Sequence, residues 1–425
     1  MNNFRLESYL VLLKVLKNKL TLNFLIKNRN ISSLSKEICF GVCRQYYRLN
    51  VLINFFLRKR IRFIEILIVL LIGIYQLRYM KKASNYIVIK ESLLLLDLIN
   101  KSWAKSLVNA ILNQYCTYVD KLYLENNNDF IFNHPNWYIQ EIQKDWPLNW
   151  IQILKANDCH PPMSLRVNKM FINREKYLYF LRKKNISGFP HMYSSVGITL
   201  GTACSIKDLP YFREGYVSVQ DESAQMAVSL LSLKPGLRVL DACCAPGGKL
   251  SHILETESEL LNCVAVDCSH NGLNKVKENL LRLQLKATVI KANVLNLKNW
   301  WDGKYFDRIL LDVPCSSTGV IRRCPDVKIL RTKKEVLFMS SLQKRFLKTL
   351  WSLLSFNGIL VYVTCSILKK ENEEVIKDFL KNNNNCVICK KNISWGIDTG
   401  YGWQILPGIN NQDGFFYSVL KKKNN

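Results

Sequence analysis

The 425-residue sequence predicts a multidomain fold: an all-α bundle over residues 1–140, a small α+β module over 141–225, and an α/β domain over 226–425. Three patterns indicate this order. Apolar residues recur at helical spacing in the first range, the second carries short apolar pieces between basic residues, and strands alternate with helices in the third. A chain of this length can bury a separate core in each domain.

The first domain has few helix breakers, as in the stretches SYLVLLKVLKNKL and ESLLLLDLINKSWAKSLVNAILNQY, so we expect a bundle of several helices. Its longest apolar run, residues 66–75, is too short to cross a bilayer and predicts a buried helix. The N-terminus lacks the apolar core and cleavage site of a secretion signal. We therefore expect a cytoplasmic, monomeric protein with reduced cysteines and no membrane partner.

Lysine and arginine outnumber aspartate and glutamate by 60 to 33, which gives a formal net charge of +27. The first hundred residues hold seventeen basic and five acidic side chains. This excess favours a polyanionic partner, nucleic acid in preference to an acidic membrane surface. Basic residues interleaved with apolar ones predict a basic helical face in the bundle, comprising Arg44, Arg48, Arg58, Lys59, Arg60 and Arg62.

The third domain contains strand-like runs separated by helical stretches at 249–257, 271–284, 335–354 and 371–381. The runs are LRVLDAC, CVAVD, ATVIKA, FDRILLD and GILVYVT. Such alternation predicts a parallel, doubly wound sheet. The later CVIC at 386–389 has no second cysteine pair at zinc-ribbon spacing, so we interpret it as part of a strand and expect no metal site.

A glycine-rich turn joins the first of these strands to a helix in VLDACCAPGGKLSHILE. Gly247 and Gly248 let the backbone approach a ligand closely, and the helix start offers free N–H groups. Asp267 ends the next strand, where a carboxylate can accept both hydroxyls of a ribose. The turn lacks the GxGxxG spacing, so the pattern predicts a nucleoside site and weakens a dinucleotide one.

Four stretches resemble, in order, the motifs of the RNA (cytosine-5)-methyltransferases, and in particular of the enzymes that act on bacterial small-subunit rRNA. They are DACCAPGGK, LLDVPCSSTGVIRRCPDVK, YVTCSILKKENEE and LPGINNQDGFFYSVL. The resemblance is dense over 217–420 and weaker over the bundle, which is similar to the NusB-like RNA-binding domain of that family. It implies a Rossmann-like domain that transfers a methyl group from S-adenosylmethionine to C5 of a specific cytosine in 16S rRNA.

The resemblance implies that Cys365 is the nucleophile, that Cys315 assists release of the product, and that Asp312 contacts the cytosine edge. A thiolate that adds to C6 makes C5 nucleophilic, and a second group beside it can assist elimination. Two cysteines at adjacent strand ends fit that need. The implied S-adenosylmethionine site comprises Cys243, Cys244, Ala245, Pro246, Gly247, Gly248, Lys249, Asp267, Asn293 and Asp312.

Three positions depart from the family pattern. Cys244 stands where relatives more often carry alanine. Asn293 stands where relatives usually carry an aspartate, so a charge is lost near the adenine side of the cofactor. Cys324 stands where relatives more often carry histidine. In the same stretch, the basic residues Arg322, Arg323 and Lys328 are expected to contact RNA phosphates.

Two other functions remain open at this point. An amino-group methyltransferase would use an (Asn/Asp)-Pro-Pro-(Tyr/Phe) loop and no nucleophilic thiol, which DVPC and TCS argue against. A non-catalytic RNA-binding ribosome-assembly factor with a retained methyltransferase fold is the alternative from another class.

Overall fold

A computed structural model describes residues 3–27, 31–57, 59, 61–80, 83–118 and 128–424. They form two compact units. The helical unit comprises Met1–His160 and Ile321–Lys333, and the sheet unit comprises Pro161–Val320 and Lys334–Asn425. The predicted domain boundaries at 140 and 225 stay predictions.

The helical unit confirms the predicted bundle. Its helices are α1 (Phe4–Asn18), α2 (Leu22–Lys27), α3 (Ser33–Arg44), α4 (Tyr46–Phe55), α5 (Ile64–Tyr79), α6 (Asn85–Leu98), α7 (Lys105–Tyr118), α8 (Asn128–Phe132), α9 (Asn136–Asp145) and α10 (Trp150–Asp158). The side chains of Asn3, Ser32 and Ser84 cap α1, α3 and α6 by accepting hydrogen bonds from backbone N–H groups of the first turn.

The apolar run at 66–75 lies in α5 and is buried as predicted, because α1, α3, α4, α6 and α7 all pack against that helix. Helices α3 and α5 approach closely at Gly41, where an added Cβ would lie 1.9 Å from the Tyr75 ring. In the described part of the chain, no helix is both long and apolar enough to span a membrane.

The predicted basic helical face is wrong for Arg44 and Arg48. Arg44 is 5% exposed, and its guanidinium donates a 3.0 Å hydrogen bond to the carbonyl of Arg322. Arg48 forms a 3.0 Å ion pair with Asp158. These two side chains therefore join parts of the helical unit. Of the other four, Arg58 and Arg60 lie outside the described residues, whereas Lys59 and Arg62 are exposed between α4 and α5.

Residues 321–333 come from the methyltransferase-like part of the sequence yet belong to the helical unit. They include the short helix α15 (Val327–Leu330), which packs against α1 and α3. The carboxylate of Asp326 accepts a 2.9 Å hydrogen bond from the backbone N–H of Leu22. The predicted phosphate contact is wrong for Arg322 and Lys328, since both are 2% exposed.

Lys328 is a buried cation whose partners all lie in the helical unit. Its ammonium donates hydrogen bonds to the carbonyls of Arg44, at 3.0 Å, and Asn133, at 3.1 Å, and pairs with Asp158. Burial lowers the pKa of Lys328 to about 8 despite the Asp158 carboxylate. Lys328, which the sequence predicts to contact RNA, therefore stabilises the helical unit instead.

The predicted α+β module is confirmed at the start of the sheet unit. Its strands β1 (Ser164–Val167), β2 (Gly188–Pro190), β3 (Gly197–Leu200) and β4 (Val217–Val219) pair antiparallel in the order β2-β3-β1-β4. Helix α11 (Arg174–Lys183) buries Tyr177, Leu178 and Leu181 in the same hydrophobic cluster as Leu165 and Ile198 of the sheet.

The predicted parallel sheet is confirmed, and it is extended by antiparallel strands. Its order is β11-β12-β13-β9-β8-β5-β6-β7, with β10 also paired to β13. Strands β9, β8, β5, β6 and β7 are parallel, and β13 joins β9 antiparallel. The strands are β5 (Arg238–Ala242), β6 (Asn262–Asp267), β7 (Thr288–Lys291), β8 (Phe306–Asp312), β9 (Leu354–Thr364), β10 (Cys386–Ile388), β11 (Ile397–Asp398), β12 (Trp403–Ile405) and β13 (Phe415–Lys422).

The helices of this region follow the predicted alternation and are α12 (Glu222–Leu230), α13 (Gly248–Thr256), α14 (His270–Arg282), α16 (Lys333–Trp351) and α17 (Glu373–Lys381). Two buried clusters share the sheet, one with Leu240, Ile309 and Tyr362 and the other with Val239, Leu310 and Val361. Their residues alternate along each strand, so both faces of the sheet are covered. The CVIC stretch forms β10 as predicted, with Cys386 buried.

Candidate active site

The carboxyl ends of the parallel strands bring the predicted site residues to one edge of the sheet. Cys365 follows β9 directly, Cys315 lies three residues after β8, and Asp267 ends β6. Strands β8 and β9 are neighbours, which confirms that the two cysteines lie at adjacent strand ends. Ligand sites in open α/β sheets form at this edge.

The thiols of Cys315 and Cys365 are in direct contact, with their Sγ atoms 3.3 Å apart. The hydroxyl of Ser317 lies 3.6 Å from Cys365 Sγ. The backbone holds the two loops together, because Gly319 N–H donates to the Cys365 carbonyl at 2.9 Å. All fourteen cysteines are free thiols.

The environment moves the two thiol pKa values in opposite directions. The hydrogen bond from the Cys315 thiol lowers the pKa of Cys365, and the Ser317 hydroxyl and Lys249 ammonium also lower it, against burial and Asp312. The same hydrogen bond, together with burial, raises the pKa of Cys315 well above the ordinary value. The site therefore favours a thiolate at Cys365 and a protonated thiol at Cys315.

A buried carboxylate that the sequence analysis missed ties the two cysteine loops together. Glu371 is fully buried and accepts from the Ser316 N–H at 2.8 Å, the Ser366 hydroxyl at 2.6 Å and the Gln343 amide at 3.0 Å. The Ser316 hydroxyl donates to it as well. Ser316 follows Cys315 and Ser366 follows Cys365, so one carboxylate fixes the backbone beside each thiol.

The neighbouring Asn372 supports the same loop. Its amide donates to the Ser366 carbonyl at 2.9 Å and to the Gln404 side chain at 2.8 Å, while its oxygen accepts from the Thr364 hydroxyl at 2.6 Å. Glu371 and Asn372 both lie in the stretch YVTCSILKKENEE. Both residues therefore stood in a motif stretch, but no pattern in the sequence indicated that they bond to the residues beside the thiols.

Lys249 and Asp312 form an ion pair of 2.6 Å beside the thiols. The Lys249 ammonium also lies 5.3 Å from the centre of the Phe415 ring, a cation–π distance. Burial is the largest single effect and lowers the pKa of Lys249, but the charge and hydrogen bond of Asp312, with Cys365 and Asp241, raise this pKa overall. Lys249 therefore stays charged and holds Asp312 in place at the end of β8.

The glycine-rich turn has the geometry expected of a ligand cradle. Gly247 adopts φ +95°, and a Cβ there would lie 3.2 Å from the Cα of Val276, so this position requires glycine. Asp267 accepts from the Ala245 N–H at 3.0 Å and the Ser269 N–H at 2.8 Å. The carboxylate and the turn are thus held against each other.

The other predicted cofactor residues differ in how they face this cradle. The Pro246 carbonyl accepts from the Asn279 amide at 3.1 Å. Cys243 is half-buried, and burial and Asp267 raise its pKa, whereas the Cys244 side chain belongs to a buried hydrophobic cluster. Asn293 is exposed and accepts from the Leu295 N–H at 3.0 Å, which leaves its amide outside the network around Asp267.

Asp241, at the end of β5, is a second carboxylate that the sequence analysis missed. It is fully buried, and neither carboxylate oxygen has a hydrogen-bond partner in the described part of the chain. Burial, and then the Asp312 and Asp267 carboxylates, raise the pKa of Asp241 well above its ordinary value. An unpaired buried acid among other acids is a site that a bound cation would stabilise. Its signal in the sequence is the aspartate of VLDACCAPGG.

No group of histidine, cysteine, aspartate and glutamate residues that could hold a metal ion occurs among the described residues.

Comparisons with known proteins agree with this architecture. The family model of 16S rRNA methyltransferase RsmB/F matches residues 228–421, a ferredoxin-like domain of RsmF/B-like methyltransferases matches 134–207, and the NusB family matches 5–116. The chain is 40% identical over 428 residues to the probable ribosomal RNA small subunit methyltransferase B of Coxiella burnetii, covering 99% of each. It is also 40% identical over 430 residues to ribosomal RNA small subunit methyltransferase B of Pseudomonas putida, covering 99% of this chain and 98% of that one. The crystal structure of PH0851 has the same fold, with a TM-score of 0.83, 21% identity, and coverage of 99% of this chain and 98% of that one.

Proposed function

The chain belongs to the RsmB/F family of 16S rRNA methyltransferases, and on that premise we propose that it methylates C5 of a cytosine in small-subunit rRNA through a covalent bond between Cys365 and C6. The observation that carries this proposal is the thiol pair: two Sγ atoms 3.3 Å apart whose pKa values move in opposite directions. A thiolate stabilised by a neighbouring thiol donor is the arrangement that a nucleophile and its partner require.

The residues of the glycine-rich turn fit S-adenosylmethionine as the methyl donor. Gly247 gives the turn its left-handed bend, Asp267 offers oxygens to a ribose, and Asp241 is a buried carboxylate without a hydrogen-bond partner among the described residues. When bound, S-adenosylmethionine supplies an electrophilic methyl group on a positively charged sulfur. A cation beside Asp241 would offset the cost of burying this acid.

In the proposed reaction the Cys365 thiolate attacks C6 of the cytosine. A carbon–sulfur bond forms, and the electron pair of the C5–C6 double bond moves to C5, which becomes the nucleophile for methyl transfer. The Ser317 hydroxyl and Lys249 ammonium favour the thiolate before attack. Asp312, held by Lys249 at 2.6 Å, is placed to contact the ring-nitrogen edge of the base and orient it.

Release reverses the attack. Solvent takes the proton on C5, the electron pair of the C5–H bond re-forms the C5–C6 double bond, and the C6–Sγ bond breaks with its electron pair returning to Cys365. The Cys315 thiol, which stays protonated and lies 3.3 Å from Cys365 Sγ, donates a hydrogen bond to the departing thiolate. Stabilising the leaving group speeds elimination, so Cys315 assists product release without taking part in the attack.

The target base must reach the cysteines, so the RNA presents it unpaired or flipped from its stack. The net charge of +27 supports rRNA as the partner through phosphate contacts. We propose that the chain acts as a monomer.

The direct test is to map 5-methylcytosine by bisulfite sequencing on 16S rRNA incubated with the protein and S-adenosylmethionine. We expect one protected cytosine with the wild type and none with Cys365→Ala. A methyl group on an exocyclic amine would exclude the C5 reaction, and bound but unmodified rRNA would identify a non-catalytic assembly factor.

A further inference from the structure

The sheet unit carries a row of neighbouring aromatic rings that the reaction does not use. We call it the aromatic row; in order, it comprises Phe171, Tyr216, Tyr211, Phe180 and Tyr179. Successive ring centres are separated by 5.5, 5.1, 5.0 and 6.2 Å. The rings come from α11, the loop before it and the loop before β4, so the fold brings together residues that are distant in sequence.

Three rings of the row are exposed, whereas Phe180 and Tyr216 pack against the hydrophobic cluster of α11 and the antiparallel sheet. Tyr179 is 50% exposed, Tyr211 is 47% exposed and Phe171 is 38% exposed, and each belongs to a residue type that folding normally covers. Tyr211 also adopts φ +51°, a left-handed conformation that costs a tyrosine free energy. Folding alone gives no reason to keep a large ring exposed on a strained backbone.

A basic groove of about 1030 Å³ borders the row at Phe180 and Tyr211. Phe180, Tyr211 and Phe212 supply its aromatic wall. Its charged lining residues are the cations Lys183, Lys184, Lys207 and Arg213 and the acids Asp208 and Glu214. The ammonium of Lys183 lies 4.8 Å from the centre of the Tyr179 ring. Cations therefore flank the rings, as at sites where bases stack and phosphates pass alongside.

We propose that the aromatic row and its groove bind a single-stranded segment of small-subunit rRNA, with bases stacked on the exposed rings and phosphates beside the lysines. The inference rests on rRNA being the substrate and extends it by assigning where unpaired RNA outside the reacting base is held. The excess of cations over acids in the groove favours a polyanion over an apolar peptide. Every base can stack on an aromatic ring, so the aromatic row adds affinity for single-stranded RNA without sequence specificity.

Removing the rings should weaken single-strand binding in particular. Full-length Tyr179→Ala and Tyr211→Asn are the test variants, and asparagine is chosen at 211 because it tolerates the left-handed backbone. The probe is a fluorescent oligouridylate of roughly ten nucleotides, and the readout is its anisotropy. We expect each variant to raise Kd about tenfold, the value for losing one base–aromatic stack. Affinity for an RNA duplex of equal length should change less than about twofold, since paired bases cannot stack on the rings.

Matched controls separate stacking from damage to the fold. Tyr211→Phe keeps the ring and should bind like the wild type. Tyr305→Ala removes a tyrosine that is 57% exposed just before β8, and it should leave RNA affinity unchanged. Lys207→Ala should lower the slope of log affinity against log salt by about 0.7. The control is Lys298→Ala, which removes an exposed lysine between β7 and β8 that does not line the groove, and it should leave the slope unchanged.

Unchanged single-strand affinity in Tyr179→Ala and Tyr211→Asn would overturn the proposal, as would an equal loss for single-stranded and duplex RNA. Calorimetric binding of S-adenosylmethionine within about twofold of wild type shows that the variants are folded. The anisotropy readout does not depend on methyl transfer. Failure of the C5 chemistry would therefore appear in the wild-type reaction and leave this result standing.

Discussion

Replacing Glu371 by glutamine tests whether the buried carboxylate positions the two thiols. Four donors converge on it, from the Ser316 N–H and hydroxyl, the Ser366 hydroxyl and the Gln343 amide. Glutamine has nearly the same shape but offers one acceptor oxygen and one donor nitrogen. The serine hydroxyls can rotate to accept from that nitrogen, so the pattern survives while the charge is lost.

The expected magnitude follows from those contacts. A hydrogen bond to a charged acceptor is worth about 1.5–3 kcal/mol, and one between neutral groups about 0.5–1.5 kcal/mol. In Glu371→Gln these hydrogen bonds become weaker, but the folded state no longer buries a charge. The net loss of stability should be about 1–3 kcal/mol. Glu371→Ala leaves every donor without its acceptor and should cost more than about 4 kcal/mol.

The effect on the reaction should exceed the effect on binding. Loosened loops weaken the hydrogen bond that lowers the pKa of Cys365, so less thiolate is present at a given pH. We expect kcat to fall about 10–100-fold, with KM for rRNA and Kd for S-adenosylmethionine within about twofold. The alkylation rate of Cys365, followed by peptide mass spectrometry, should need a higher pH to reach its half-maximum.

The control for this variant is Glu374→Gln, which removes an exposed carboxylate paired at 2.8 Å with exposed Lys370 on the same segment. It should leave stability, kcat and the alkylation profile unchanged. A folded Glu371→Gln enzyme with lower melting temperature but wild-type kcat and alkylation profile would refute the positioning role and leave Glu371 a stabilising residue only.

Two further predictions follow from other contacts. Asp267→Ala should weaken S-adenosylmethionine binding by about 1–3 kcal/mol through lost charge-assisted hydrogen bonds, and unchanged affinity by calorimetry would reject the site. Lys328→Met should lower the free energy of unfolding of the helical unit by about 1–3 kcal/mol, because two buried carbonyls lose their ammonium donor and Asp158 keeps only its ion pair with Arg48. Burial sets the pKa of Lys328 at about 8 in the folded state, below the value of about 10.4 in the unfolded chain. Between these two pH values, the folded protein therefore binds fewer protons than the unfolded chain. The stability advantage of the wild type over this variant should therefore grow from pH 8 towards 10, and a decrease measured by urea unfolding would contradict the buried cation.

The strands that carry the site could be predicted from sequence to within a few residues. FDRILLD predicts β8 and the structure has Phe306–Asp312, because a buried parallel strand leaves a continuous apolar run between turn signals. The antiparallel strands β10 to β13 were missed as sheet members, since periodicity reports a strand but not its partner. They join the sheet through β13, whose pairing with β9 depends on contacts between Phe416 and Thr364 and their neighbours, which lie far apart in the chain.

The candidate site could also be predicted only in part from the sequence. The motif stretches put Cys315 and Cys365 at neighbouring strand ends, but the role of Glu371 arises from donors on three separate segments and has no local pattern. Lys328 was misassigned for a related reason. A basic residue in a loop looks the same in sequence whether it faces solvent or, as here, meets Asp158 inside a helical unit.

The helical unit depends on both of its chain segments. Residues 321–333 belong to it, where Asp326 accepts from the Leu22 N–H and Lys328 donates to the Arg44 carbonyl. Removing residues 1–140 would take both of these partners away from buried polar groups. RNA binding is therefore better tested by point variants in the full chain.

The central claim is that chemically identical substitutions of the two touching thiols have unlike consequences. Cys365→Ala removes the attacking atom, so neither methylated RNA nor a covalent protein–RNA adduct should form. Cys315→Ala leaves attack and methyl transfer possible but removes the donor to the departing thiolate, so an adduct should accumulate. The measurement is denaturing electrophoresis of each variant with labelled 16S rRNA and S-adenosylmethionine. The predicted result is a shifted band for Cys315→Ala alone, absent when Cys365→Ala is added; a methylating Cys365→Ala enzyme would contradict covalent catalysis by Cys365.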